Sequence, residues 1–143
     1  MRFPILSTLL AILGFIAAPA IAQPMTFAEV QGTGAQALSA DEAKALISGA
    51  KVELTLVNGS LRIWTNAIDG KFAASRNIGA FERRSAQGTW SVEADGTYCL
   101  AFDWGSQDKD NWCRLVYKVE DRYYSFAKGA KPDTRSGVYR FSR

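Results

Sequence analysis

Gly-Thr-Trp-Ser-Val-Glu-Ala-Asp-Gly-Thr-Tyr-Cys-Leu-Ala-Phe-Asp-Trp (88–104) runs through Gly-Ser-Gln-Asp-Lys-Asp (105–110) into Asn-Trp-Cys-Arg-Leu-Val-Tyr-Lys-Val-Glu-Asp-Arg-Tyr-Tyr (111–124). This stretch holds both cysteines of the chain and three of its four tryptophans. Its apolar residues recur at every second position, the period of a half-buried strand. Tyr98, Leu100, Phe102 and Trp104 share one face, which is expected to be core; Cys99 lies on the other face with Ala101 and Asp103. In the following strand Cys113 shares a face with Leu115, Tyr117 and Val119, while Trp112, Arg114 and Lys118 point the opposite way. A hairpin symmetric about Ser106 sets Cys99 against Cys113, close enough to bridge. That register pairs the apolar face of the second strand with the less apolar face of the first. Either the sheet is buried on both faces here, or the register shifts by one residue.

The same period extends outward in both directions. Strands are expected over 52–57, 61–65, 71–75, 88–93, 97–104, 112–119, 123–128 and 138–141. Asn58-Gly59, Asp69-Gly70 and Asp95-Gly96 supply hairpin turns. Residues 77–86, polar and containing Gly79 and Phe81, read as a connection. Short loops between about eight strands imply antiparallel neighbours. The expected fold is mainly β, a small antiparallel meander closing into a curved sheet or partial barrel. One short helix precedes it. Ser39 and Glu42 form a capping box, Ala43, Leu46 and Ile47 make an apolar stripe, and Gly49 stops the helix.

The N-terminus bounds the compartment. Arg2, the apolar run from Ile5 to Ala18 and the small-residue site Ala20-Ile21-Ala22 read as a signal peptide cleaved before Gln23. The expected organisation is a signal over 1–22, a flexible lead-in over 23–37 rich in Gly, Ala and Gln, and one β-rich domain over 38–143. No later stretch is apolar enough to span a membrane as a helix. A periplasmic or secreted location is oxidising, which favours the Cys99–Cys113 disulfide over two free thiols. The spacing also differs from the C-x-x-C of redox pairs.

Composition excludes some chemistry. The chain contains no histidine, so the usual general base, the partner of a nucleophilic serine and the commonest zinc ligand are all missing. Without residues 1–22, 16 cations face 14 acids, a net of +2. Arg83-Arg84 is the only tight basic cluster, so no nucleic-acid partner is expected. Asp103, Asp108, Asp110 and Asn111 lack the spacing of a calcium loop, and neither a metal nor another cofactor is expected.

Most of the aromatic residues should fill a small core. Trp112 is the first candidate for an exception, because its face carries Arg114 and Lys118; a tryptophan beside two cations suits an anionic, partly apolar ligand.

Leu38-Ser39-Ala40-Asp41-Glu42, Asn58-Gly59, Asp69-Gly70, Gly88-Thr89-Trp90-Ser91-Val92, Asp95-Gly96, Cys99 and Trp112-Cys113 in this order resemble an exported proteobacterial family. It is domain-of-unknown-function family 995, and the resemblance runs over roughly 38–126. Where that family shows a glycine-aspartate turn after the second cysteine, this chain has Glu120-Asp121-Arg122. The resemblance implies export, a disulfide and β architecture, and brings no activity or catalytic residues.

The expected function is a non-catalytic binding or interaction module of the cell envelope, one form of which regulates an envelope enzyme. Its partner is an envelope protein, a glycan or a small ligand. Two alternatives remain: a small barrel carrying an apolar ligand, and a glycan hydrolase built on carboxylates such as Asp103 with Glu93 or Asp108 with Asp110.

Overall fold

The computed structural model describes residues 23–78, 82–105 and 109–143. The signal-peptide stretch, Phe81 and the loop residues 106–108 lie outside the described residues. Two helices, α1 (Phe27–Gly32) and α2 (Ala40–Ile47), precede eight strands. These are β1 (Lys51–Thr55), β2 (Leu61–Asn66), β3 (Lys71–Ile78), β4 (Glu82–Val92), β5 (Tyr98–Asp103), β6 (Lys109–Val119), β7 (Arg122–Phe126) and β8 (Val138–Ser142). Each strand pairs antiparallel with the next, and β8 returns to β1, so the sheet closes into a barrel. Closure removes the free edges of the meander.

The inner face is lined by Val52, Leu54, Trp64, Phe72, Ala74, Ala86, Tyr98, Leu100, Phe102, Val116 and Tyr139, all buried. Large rings sit beside small neighbours. Gly88 is the lateral partner of both Phe72 and Phe102, whose ring centroids approach to 4.8 Å. Residues 77–86, read from sequence as a connection, instead belong largely to β3 and β4, which pair from Lys71↔Thr89 to Ile78↔Glu82. The apolar alternation is hidden there because, on the face that carries the small Ala86, Arg84 is polar and exposed.

The cysteine register holds: Cys99 pairs with Cys113, their Cα atoms 4.0 Å apart, and the disulfide is formed. It lies on the outer face, since the intervening partners Tyr98↔Arg114 and Leu100↔Trp112 face inward. Of the two possibilities left by the sequence, the register is kept and burial on both faces is observed from Leu115 onward, while Cys113 itself is exposed. The outer residues Leu115, Tyr117, Val119, Tyr124, Phe126 and Val138 form a second cluster with Val30 of α1. Changing both cysteines to serine frees a closed ring of about 15 residues in the unfolded chain and is expected to cost about 3 kcal/mol. Denaturant titration should show a lower midpoint.

Residues 23–37 are therefore not a loose lead-in. Thr26 caps α1 in a box with Glu29. Phe27 packs against Phe126 at 5.0 Å and against Tyr117 at 5.9 Å between ring centroids. Backbone bonds from Phe27 N to Thr134 O and from Ser136 N to Met25 O tie this segment to the chain preceding β8. A helix of six residues cannot stand alone, and this one is held by the apolar face it covers.

Helix α2 starts at the expected box, Ser39 accepting from Glu42 N while the Glu42 carboxylate accepts from Ser39 N. It packs Ala43 and Ile47 into the barrel core. Asn66, fully buried at the end of β2, donates to Ile47 O at 3.2 Å. Gly96, at φ +84°, lets the β4–β5 turn touch the backbone of Leu38 and Ser39, where a side chain would collide. The β6–β7 turn has no such glycine, and Glu120 takes φ 55° there.

Candidate functional site

With α2 against one end of the barrel, the other end opens between β6 and β8. Strand β7 is short, and its ladder with β8 consists of Tyr123↔Tyr139 and Tyr124↔Val138 only. On β6, pairing with β7 begins at Leu115, so Asp110 to Arg114 border the opening. A cleft of about 420 Å³ lies here, a volume suited to a small ligand. Its walls come from Leu54, Leu56 and Val57 on one side and Asp110, Trp112 and Arg114 on the other. Ser125, Tyr139 and the 134–137 segment complete it.

An ion pair crosses this mouth. Arg62 Nη1 donates to Asp110 Oδ2 at 3.0 Å, with 23% and 37% of the two side chains exposed. β2 and β6 stand four places apart in the ring of eight, so the pair spans opposite walls. Arg114, half-buried on the inner face, has no ion-pair partner among the described residues. Among the described residues Asp110 is the single acid in the lining, against Arg62, Arg114 and, at the exposed rim, Arg135. The field of Arg135 reaches Glu29 of α1.

Tyr139 is fully enclosed between these groups. Burial pushes its phenol up to about 12, opposed by a hydrogen bond donated from Ser125 Oγ at 3.1 Å and by Arg114 and Arg62. In the unfolded chain the phenol ionises near 10, so the unfolded state sheds this proton first as pH rises. Stability from Tyr139 is thus complete below pH 10 and lost as pH climbs towards about 12. Melting temperatures across that window should fall less steeply in Tyr139→Phe than in the unaltered chain.

Trp112 and Arg114 both line the cleft, as their shared face implies. Trp112 is nonetheless half-buried, its ring within 6.5 Å of Trp64, Tyr98, Phe102 and Tyr139. It forms the floor of the site and part of the core at once. Lys118 is not brought to them: it pairs with Tyr123, about 20 Å further along the strand than Trp112 at roughly 3.3 Å per residue. Arg62 and Tyr139 join the site instead, and only closure of the barrel puts them there. The nominated acids are dispersed as well. Asp103 is opposite Gln87, while Glu93 lies beyond the other end of β4, about 20 Å away by strand rise. Asp108 is outside the described residues, and Asp110 is engaged with Arg62.

The sequence model of the family described as "Protein of unknown function (DUF995)" matches residues 12–114. The chain belongs to this family. No curated protein and no solved structure matches it. The matched DUF995 region contains Arg62, Asp110, Trp112 and Arg114, together with both cysteines, and stops before β7. The remaining wall of the cleft, from Ser125 to Tyr139, is built by the chain that follows.

Proposed function

We propose that this DUF995 member is an exported, non-catalytic binding module that takes a small, partly apolar ligand in the open mouth of its barrel. The observation that carries this reading is the 420 Å³ cleft, where Trp112 and the aliphatic Leu54 and Leu56 meet the guanidinium of Arg114. Small-ligand sites combine mostly apolar walls with a few polar groups that fix orientation. The barrel walls hold those groups on strands, so little ordering is needed on binding. Export to the periplasm or beyond is supported by the character of residues 1–22 and by the disulfide on the outer face. Asp103 and Glu93 stand about 20 Å apart along the sheet and Asp110 is engaged with Arg62, which speaks against a hydrolase built on those acids.

Native mass spectrometry of the mature chain recovered from its own cells tests the reading. The expected spectrum shows one small molecule per chain, lost on unfolding and reduced in Arg114→Gln. A chain that arrives empty and binds no small molecule, yet captures an envelope protein in a one-to-one complex, would replace the ligand reading with a protein-interaction one.

A further inference from the structure

The charge arrangement of the mouth narrows the ligand class, on the premise that the mouth is the binding site. Three observations bear on it. Arg62 is already neutralised by Asp110 across the barrel. Arg114 sits further into β6 than Asp110, half-buried, and has no ion-pair partner among the described residues. The outer wall is apolar, with Leu56 half-buried and Val57 exposed to 51% at the tip of the β1–β2 hairpin. A partly desolvated guanidinium is satisfied best by an oxyanion, which accepts two parallel N–H bonds from it. The half-buried Arg114 is thus the place for an anionic head, and the Leu56 and Val57 side of the cleft the place for an apolar body, with Arg135 exposed elsewhere on the rim.

We infer that the mouth takes an organic anion, its carboxylate-like head on Arg114 and its apolar body against Leu56 and Val57. Arg62 and Asp110 satisfy each other, so the described cations of the lining left to meet an anion are Arg114, half-buried, and Arg135, exposed at the rim. An ion contact is stronger where water is partly excluded, which favours Arg114 over Arg135. Asp110 thereby acts as a positioning residue: it holds Arg62 across the mouth and leaves Arg114 to the ligand. Head-inward binding also leaves the apolar body near solvent at the rim, where Val57 already exposes its side chain.

Titration calorimetry of the mature, disulfide-intact chain provides the test, with octanoate, octanol (the uncharged alcohol of the same chain length) and octylamine as probes. Octanoate is expected to bind at one site, with octanol about tenfold weaker, a difference of about 1.4 kcal/mol, and octylamine not at all. Arg114→Gln should weaken octanoate by about tenfold or more, and Arg114→Lys by less, because lysine keeps the charge without the fork. Arg135→Gln is expected to weaken it less than Arg114→Gln does, with thermal melts showing that each variant is folded. Equal affinity for octanoate and octanol, or unchanged octanoate affinity in Arg114→Gln, would overturn the inference. A neutral ligand found in the mouth by native mass spectrometry, with no octanoate bound, would overturn it while leaving the mouth as the binding site. Absence of any small-molecule binding would remove both.

Discussion

Trp64→Ala is expected to destabilise the chain by about 4 kcal/mol, the range for truncating a fully buried large aromatic. Trp64 is 1% exposed and stands where the core meets the floor of the mouth. Its ring makes edge contacts with Phe102, Trp112 and Tyr139. Its Nε1 donates to Tyr98 Oη at 3.0 Å. Truncation leaves a cavity beneath Trp112 and removes one hydrogen bond from a phenol that is itself buried. Burial holds the Tyr98 phenol far above its ordinary range. Chemical denaturation should show the loss as a lower midpoint. The binding site should be affected as well, since Trp112 loses the ring that supports it. A variant with full stability would mean that Trp64 is not the hub of this core.

Gly88→Ala is the second large effect, expected to cost more than about 3 kcal/mol, beyond the usual span for overpacking. The backbone at Gly88 is ordinary extended strand, so conformational freedom is not the issue. Space is. A Cβ built at this position collides with the carbonyl of Ala101 and comes within 2.5 Å of Phe72 Cζ. The Ala101 carbonyl belongs to the neighbouring strand and cannot rotate away. Phe72 is packed against Phe102, so its ring has no room to retreat. The β4–β5 ladder must therefore part locally, beside the strand that carries the disulfide. Thermal unfolding of Gly88→Ala should fall well below that of Ala86→Gly, which removes one methyl group from the same face. Equal melting temperatures would contradict this packing.

Much of the barrel can be read from the chain because period-two alternation is strong where inner residues are large. Tyr98, Leu100, Phe102 and Trp104 announce β5, and the position of Cys99 and Cys113 about Ser106 fixes the β5–β6 register. The same signal fades where the alternate positions are polar or small. Residues 71–75 still read as a strand, but Arg84 is polar and exposed and Ala86 is small, so the end of β3 and the first half of β4 resemble a loop in sequence. Helix α1 is hidden differently. Its capping box, Thr26 with Glu29, lies in a stretch dominated by glycine, alanine and glutamine, and its stability comes from Tyr117 and Phe126 about 90 residues away. Burial of the β6–β7 outer face follows from that helix, which is why alternation alone left the register open.

The site divides along the same line. Trp112 and Arg114 are two residues apart on one strand, so their shared face is a local property of the sequence. Lys118 obeys the same parity but lies too far along the strand, a distance that parity does not express. Arg62 and Asp110 meet only because the sheet closes, and Tyr139 enters from the last strand. A pairing across a barrel has no signature in either segment.

Octanoate titrated into the nitrogen-labelled mature chain, followed by amide and indole NMR shifts, tests whether the ligand sits in the barrel mouth. The largest changes are expected at the Trp112 indole, Arg114, Gly137 and Tyr139, which line the cleft. Changes confined to Thr89, Ser91, Cys99 and Ala101, in the depression of about 480 Å³ over the disulfide on the outer face, would contradict that placement.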